Sequence, residues 1–123
     1  MNIDFNTAFP IYLQIIEEFK RQIAVGALKP GEKLPSQRDL AARLKVNANT
    51  VQRVYREMEL LGLVDTLRGQ GTFIREDAAL VEQMREEMLA NLIDDFIQAM
   101  QALDLQDAEI ISLLESRLNR GDR

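Results

Sequence analysis

SQRDLAARLKVNANTVQRVYREMELL, residues 36–61, decides how the rest of this 123-residue chain is read. It holds two helical patterns separated by a short turn. Ser36 is placed to cap the first, with Asp39 three residues on in a capping-box relation. Leu40, Ala41 and Leu44 supply its buried face. The pattern stops at Lys45, where a left-handed residue costs about 1 kcal/mol when it is not glycine. Val46 pins the turn and Asn47 caps the second pattern. There, Val51, Val54, Tyr55, Met58 and Leu61 recur at helical spacing and form a core face. Asn49, Gln52, Arg53 and Arg56 repeat on the opposite side.

The polar stripe has a definite chemistry. Asn and Gln match the hydrogen-bonding edge of adenine, and Arg that of guanine, in the major groove of DNA. Asn49, Gln52 and Arg53 lie in the half of the helix that a recognition helix presents to bases. Thr50 and Arg56 are placed for phosphate, and Arg38, one turn into the preceding helix, for the DNA backbone. Alone, such a stripe is an ordinary solvated helix face. Its weight comes from the flanking elements.

Upstream, residues 1–9 read as an extended arm in which Ile3, Phe5 and Phe9 alternate loosely with polar residues. Pro10 fits the first turn of a helix. Ile11, Ile15, Ile16, Phe19 and Ile23 continue that helix to Val25, and Gly26 stops it. Lys29-Pro30-Gly31 marks a turn, and Leu34-Pro35-Ser36 leads into the second helix. Downstream of Gly62, residues 63–67, Arg68-Gly69-Gln70-Gly71 and residues 72–74 read as strand, glycine turn, strand. A hairpin directly after such a helix pair is a wing. Its glycines permit close backbone approach to phosphate, and Arg68 suits a narrow minor groove. The GQG triplet lacks the Lys-Ser/Thr of a nucleotide-binding loop.

Residues 77–103 form a long amphipathic helical pattern. Val81, Met84, Met88, Leu92, Ile93, Phe96, Ile97 and Met100 line its apolar side. Residues 104–107 interrupt it, and Ile110, Ile111, Leu113, Leu114 and Leu118 mark a last helix before a frayed Gly121-Asp122-Arg123. A first tail helix of about 26 residues spans about 39 Å, more than a small winged domain can cover. Its apolar side requires another surface, most simply a second copy. Met84, Met88 and Met100 read first as fillers of core gaps, with the lining of a ligand pocket as the alternative.

Composition narrows the function. The chain has neither Cys nor His, which removes thiolate metal sites, disulfides and imidazole chemistry. No cofactor and no metal are expected. The pairs Asp94-Asp95 and Glu86-Glu87 are adjacent on a helix and diverge, so no catalytic dyad is read and an enzyme is not expected. No basic-apolar leader or bilayer-length apolar run is present, which leaves the cytosol, with no membrane partner, as the expected location. The net charge of −5 divides unevenly. Residues 1–75 hold 11 Lys or Arg against 8 Asp or Glu; residues 76–123 hold 4 against 12. A basic front that meets phosphate and an acidic back that does not would show this asymmetry.

Residues 10–74 as a whole resemble the winged helix-turn-helix domain of the GntR family of bacterial transcription regulators. The matching features are Pro30-Gly31, Leu34-Pro35-Ser36 with Arg38, Val46-Asn47, Thr50, Tyr55-Arg56-Glu57, Gly62-Leu63, and Arg68-Gly69 with Gly71-Thr72. Only 49 residues follow Ile74, too few for the family's larger ligand-binding or aminotransferase-like domains. That short tail is similar to the YtrA-like subfamily, though Asp104 and Gln106 stand where that group usually has Gly and Ser or Thr. Ala48 likewise stands where Pro or Arg is frequent.

The resemblance implies a mainly α fold with a small β-hairpin wing. Residues 1–75 would form the DNA-binding domain and residues 76–123 a helical dimerisation tail. It implies DNA contact by Ser36, Gln37, Arg38, Asn47, Asn49, Thr50, Gln52, Arg53, Arg56, Arg68 and Gly69. It implies a homodimer, for which Val81, Met84, Met88, Leu92, Phe96 and Met100 are the expected contacts. The expected function is a cytoplasmic repressor on a palindromic double-stranded operator; the YtrA-like group is linked to transporter operons. The competing expectation is a winged helix that binds protein and not DNA. The residues do not identify a small-molecule effector.

Overall fold

A computed structural model describes residues 1–121; Asp122 and Arg123, and with them most of the expected frayed end, lie outside the described residues. Five helices and one hairpin follow in order: α1 (Ile11–Ala24), α2 (Gln37–Leu44), α3 (Ala48–Leu60), β1 (Val64–Leu67), β2 (Gly71–Ile74), α4 (Leu80–Gln101) and α5 (Asp107–Gly121). The chain forms two compact units, one spanning Met1–Glu86 and one beginning at Glu87. The expected mainly α fold with a two-stranded wing is present.

In the first unit, α1, α2 and α3 pack around a common core. Ile15, Phe19 and Ile23 of α1, Leu40 of α2, and Val51, Val54 and Met58 of α3 are essentially inaccessible. Burial of each such side chain contributes roughly 1.5–3 kcal/mol. Tyr55 joins them at 4% exposure. Its ring meets Phe19 edge-on, with centroids 6.2 Å apart. Its hydroxyl donates to the Pro35 carbonyl at 2.7 Å, which ties α3 to the lead-in of α2.

The helix ends follow the local chemistry. Ser36 Oγ accepts from the Asp39 N–H at 3.1 Å, and Asn47 Oδ1 accepts from the Asn49 N–H at 2.7 Å. Lys45 takes the expected left-handed conformation, φ 57° and ψ 45°. Pro10 is the N-cap of α1, one position before the expected first turn. Beside it the Gln14 amide gathers the arm: Asn6 N–H donates to its oxygen, and its nitrogen donates to the carbonyls of Asn6 and Phe9. In the arm, Ile3 and Phe5 are half-buried and Phe9 is exposed.

Two core expectations change. Leu61 is 54% exposed. It is the C-cap of α3, beyond the last residue backed by the core. Gly62, at φ 79°, then reverses the chain, and Leu63 fills the core with 1% exposure. A side chain at Gly62 would be strained by the positive φ, while the Arg75 guanidinium end, 2.9 Å from an added Cβ, could swing aside. Leu44, at the end of α2, is only half-buried.

The hairpin is antiparallel, with Val64 opposite Ile74 and Leu67 opposite Gly71. A third segment, unforeseen in the sequence, pairs with it. Lys33 bridges Phe73, Leu34 N–H donates to the Thr72 carbonyl and Ile74 N–H to the Glu32 carbonyl, both at 2.8 Å. At the base of the wing, Arg75 pairs with Asp65 at 3.0 Å.

α4 begins at Leu80, three residues after the expected start. Asp77 forms the preceding turn, its side chain accepting from the Ala79 N–H at 2.9 Å. Asp104, in the interruption, takes φ 63°, the left-handed conformation for which glycine is the usual residue. Gln106 precedes α5, and its N–H donates to the Glu109 carboxylate at 3.0 Å. No helix among the described residues is long and apolar enough to cross a membrane.

Candidate nucleic-acid interface

The site is built on α3. Burying Val51, Val54, Tyr55 and Met58 turns the opposite face outward, and Asn47, Asn49, Gln52, Arg53 and Arg56 are exposed there, with Thr50 half-buried at the margin. One hydrophobic stripe therefore sets the direction of the whole polar stripe. The Asn47 cap has a second consequence. Its side-chain oxygen accepts from the Asn49 backbone N–H, so the Asn49 side chain stands on a fixed first turn.

The α2 N-terminus and the wing form the second part. An open hollow of about 590 Å³ lies between them, lined by Lys33, Ser36 and Gln37 on one side and by Arg68, Gly69 and Gln70 on the other. Gln70 N–H donates to the Leu67 carbonyl at 2.9 Å and closes the wing tip. Gly69 and Gly71 have φ values of 78° and 122°, both left-handed, so the tip needs the residues it has. Asp39 also lines the hollow, and its N–H already donates to Ser36 Oγ; the remaining N–H groups at the start of α2, with Lys33 and Arg68, suit an anionic oxygen.

The structure thus gathers the expected residues in two sets. Ser36, Gln37, Arg68 and Gly69 share the hollow; Asn47, Asn49, Thr50, Gln52, Arg53 and Arg56 share the outer side of α3. Arg38 is exposed in the first turn of α2 but does not line the hollow. Among the described residues, Arg38, Arg53, Arg56 and Arg68 make no ion pair, whereas Arg21 and Arg75 do. These are charges left available to a polyanion.

Three side chains join the site that the sequence patterns did not single out. Lys33 reaches it through the third strand-like segment, and its aliphatic stem crosses Gly71, where an added Cβ would meet it at 2.9 Å. Gln70 lies at the wing tip. Tyr12 lies under Arg53, with the guanidinium carbon 3.6 Å from the ring centroid. Pairing across the wing and packing between α1 and α3 are long-range, and helical spacing carries no signal for either.

The second unit presents a different surface. Leu92, Ile93, Phe96 and Ile97 of α4 face Ile110, Ile111 and Leu114 of α5 across an open apolar groove of about 400 Å³. Of the six expected dimer contacts, Leu92 and Phe96 lie on this groove, at 65% and 40% exposure. Met88 and Met100 are half-buried. Val81 and Met84 belong to the first unit, where Met84 is 7% exposed.

Comparison with known proteins agrees with this geometry. Residues 11–74 match the family model described as bacterial regulatory proteins, gntR family. The chain is 42% identical over 121 residues to the uncharacterized HTH-type transcriptional regulator YhcF of Bacillus subtilis, covering 98% of this chain and 100% of that protein. It is 46% identical over 100 residues to the HTH-type transcriptional repressor YtrA of the same organism, covering 77% of each. A GntR family transcriptional regulator from Listeria monocytogenes superposes with a TM-score of 0.84 at 35% identity, over 91% of this chain and 98% of that one. The winged helix-turn-helix, its exposed polar helix face and the two-helix tail are those of a DNA-binding transcription regulator, and the chain belongs to the GntR family of bacterial regulatory proteins.

Proposed function

We propose that this protein is a homodimeric, sequence-specific repressor of the YtrA-like type. The observation that carries this reading is the outward face of α3, where Asn49, Gln52, Arg53 and Arg56 are exposed and, among the described residues, its arginines make no ion pair. In this reading Asn49, Gln52 and Arg53 contact base edges. Thr50, Arg56, Arg38 and the hollow formed with Arg68 and Gly69 hold phosphate. Asn47 orders the helix start. Residues 1–75 bind DNA and residues 76–123 hold two copies together. Two α3 helices then enter successive major grooves, about one helical turn apart, so the operator is palindromic. Repression follows from occupancy of promoter DNA, and resemblance to the YtrA-like group points to a transporter operon as the target.

Selection of bound sequences from a random duplex pool tests this reading directly. The expected product is an inverted repeat. Titration of that duplex with Arg53→Ala should show a loss of about 1–3 kcal/mol and relaxed preference at one base pair. Affinity should fall steeply with added salt. Failure to enrich any duplex would overturn the reading and leave a protein-binding winged helix in its place.

A further inference from the structure

Arg53 is solvent-exposed, yet its guanidinium rests 3.6 Å above the centroid of the Tyr12 ring. Tyr12 is the second residue of α1 and is half-buried. This is a different kind of restraint from those on the two arginines in ion pairs. Arg21 is held through its edge by Glu18, at 2.9 and 2.6 Å, and Arg75 by Asp65 at 3.0 Å. A carboxylate occupies the in-plane N–H donors of a guanidinium and offsets its charge. An aromatic ring occupies the flat face and leaves the in-plane donors and the charge free. Bidentate recognition of guanine O6 and N7 uses those same donors. A side chain on the reading face that is held by its face alone is restrained for contact and not neutralised.

We infer that Tyr12 is a positioning residue for DNA readout. Its ring holds Arg53 in one orientation with the N–H edge presented, so α1 acts on base preference through α3. This rests on the assignment of Arg53 to a base contact made above. The restraint lowers the ordering cost that a long flexible side chain otherwise meets on binding.

The test uses the full-length chain and the duplex that the unaltered chain selects from a random pool, together with copies of that duplex in which each G·C pair is replaced in turn. Tyr12→Phe keeps the ring and should bind within about twofold of the unaltered chain. Tyr12→Leu should weaken binding by roughly two- to fivefold and reduce discrimination at the pair read by Arg53. Arg53→Ala should weaken it by roughly five- to 150-fold. The double variant should be no weaker than Arg53→Ala alone. Ring-current shifts on the Arg53 side-chain protons, measured by NMR in the unaltered chain, should persist when the duplex is added; this readout does not depend on the stability of any variant.

Unchanged affinity and preference in Tyr12→Leu, alongside a defect in Arg53→Ala, would overturn the inference and leave the base contact standing. Tighter binding by Tyr12→Leu would overturn it by showing that the ring competes with DNA for Arg53. A double variant weaker than Arg53→Ala would overturn it by giving Tyr12 a role of its own, as would a defect in Tyr12→Phe. No defect in Arg53→Ala would remove the base contact itself.

Discussion

The two units treat their apolar side chains in opposite ways. In the first, Ile15, Phe19, Ile23, Val51, Val54, Met58 and Leu63 are covered by the chain itself, each at 1% exposure or less. In the second, Leu92, Ile93, Ile111 and Leu118 are each more than half exposed, and Ile110 is the buried hydrophobic residue among those described beyond Glu87. The difference teaches a division of labour. A three-helix core with a wing closes on itself, so its outer polar face is free for a ligand. Two helices cannot enclose a core between them, and an apolar groove of this kind is a surface that another copy can complete.

Several substitutions would break or sharpen this contrast. The largest effect is expected from Met58→Ala, which opens a cavity in the closed core. It should cost about 2–5 kcal/mol, read as a lowered midpoint of thermal unfolding against the unaltered chain at the same protein concentration. Phe96→Asp places a carboxylate on the apolar groove. If two copies associate as proposed, sedimentation should show a dimer for the unaltered chain and a monomer for this variant, with the helical content of the winged unit retained. If Phe96→Asp stayed dimeric, the open groove would not be the contact and the contrast would lose its meaning.

Tyr55→Phe acts within the closed unit. It removes the hydroxyl bonded to the Pro35 carbonyl and should cost about 1 kcal/mol. Burial raises the Tyr55 pKa, so the hydroxyl stays protonated in the folded chain. The unfolded chain ionises near the ordinary tyrosine value of about 10. The contribution is therefore complete below that value and is lost as pH rises above it. Denaturant titrations above pH 10 should show the unaltered chain losing stability faster than Tyr55→Phe.

The left-handed residues allow the same substitution in both units. Lys45→Gly should stabilise the first by up to about 1 kcal/mol. Asp104→Gly should gain less, because Asp tolerates that conformation better than Lys does. The smallest effect concerns Glu18, whose carboxyl is held below its ordinary range chiefly by the hydrogen bond from Arg21. Its contribution is present above the ordinary glutamate range and disappears as pH falls through the lowered value. Urea midpoints of the unaltered chain and of Glu18→Gln should accordingly converge in acid.

Much of this molecule was legible in order along the chain because its signals are local. The Ser36 and Asn47 caps, the left-handed Lys45, the buried stripe of α3 and the glycine turn of the wing all follow from short-range sterics and helical spacing. The same spacing continued through Leu61 because periodicity does not know where a core ends. The exposed set on α3 could be named for a related reason: once Val51, Val54, Tyr55 and Met58 turn inward, the intervening residues have only solvent to face. The tail was legible as amphipathic, but Val81 and Met84 are indistinguishable by spacing from Leu92 and Phe96, although the structure assigns them to different units.

Sequence alone thus determined the helix order, the wing and the polar identity of the exposed α3 face, each through interactions among residues close in the chain. Tertiary structure alone decided what meets at a distance: Lys33 with Phe73, the Tyr55 hydroxyl with Pro35, and the Tyr12 ring with Arg53. Such pairs depend on how whole elements pack. A local pattern specifies which face of a helix is buried, and only the packed neighbour specifies what that face, and the side chains at its edge, will touch.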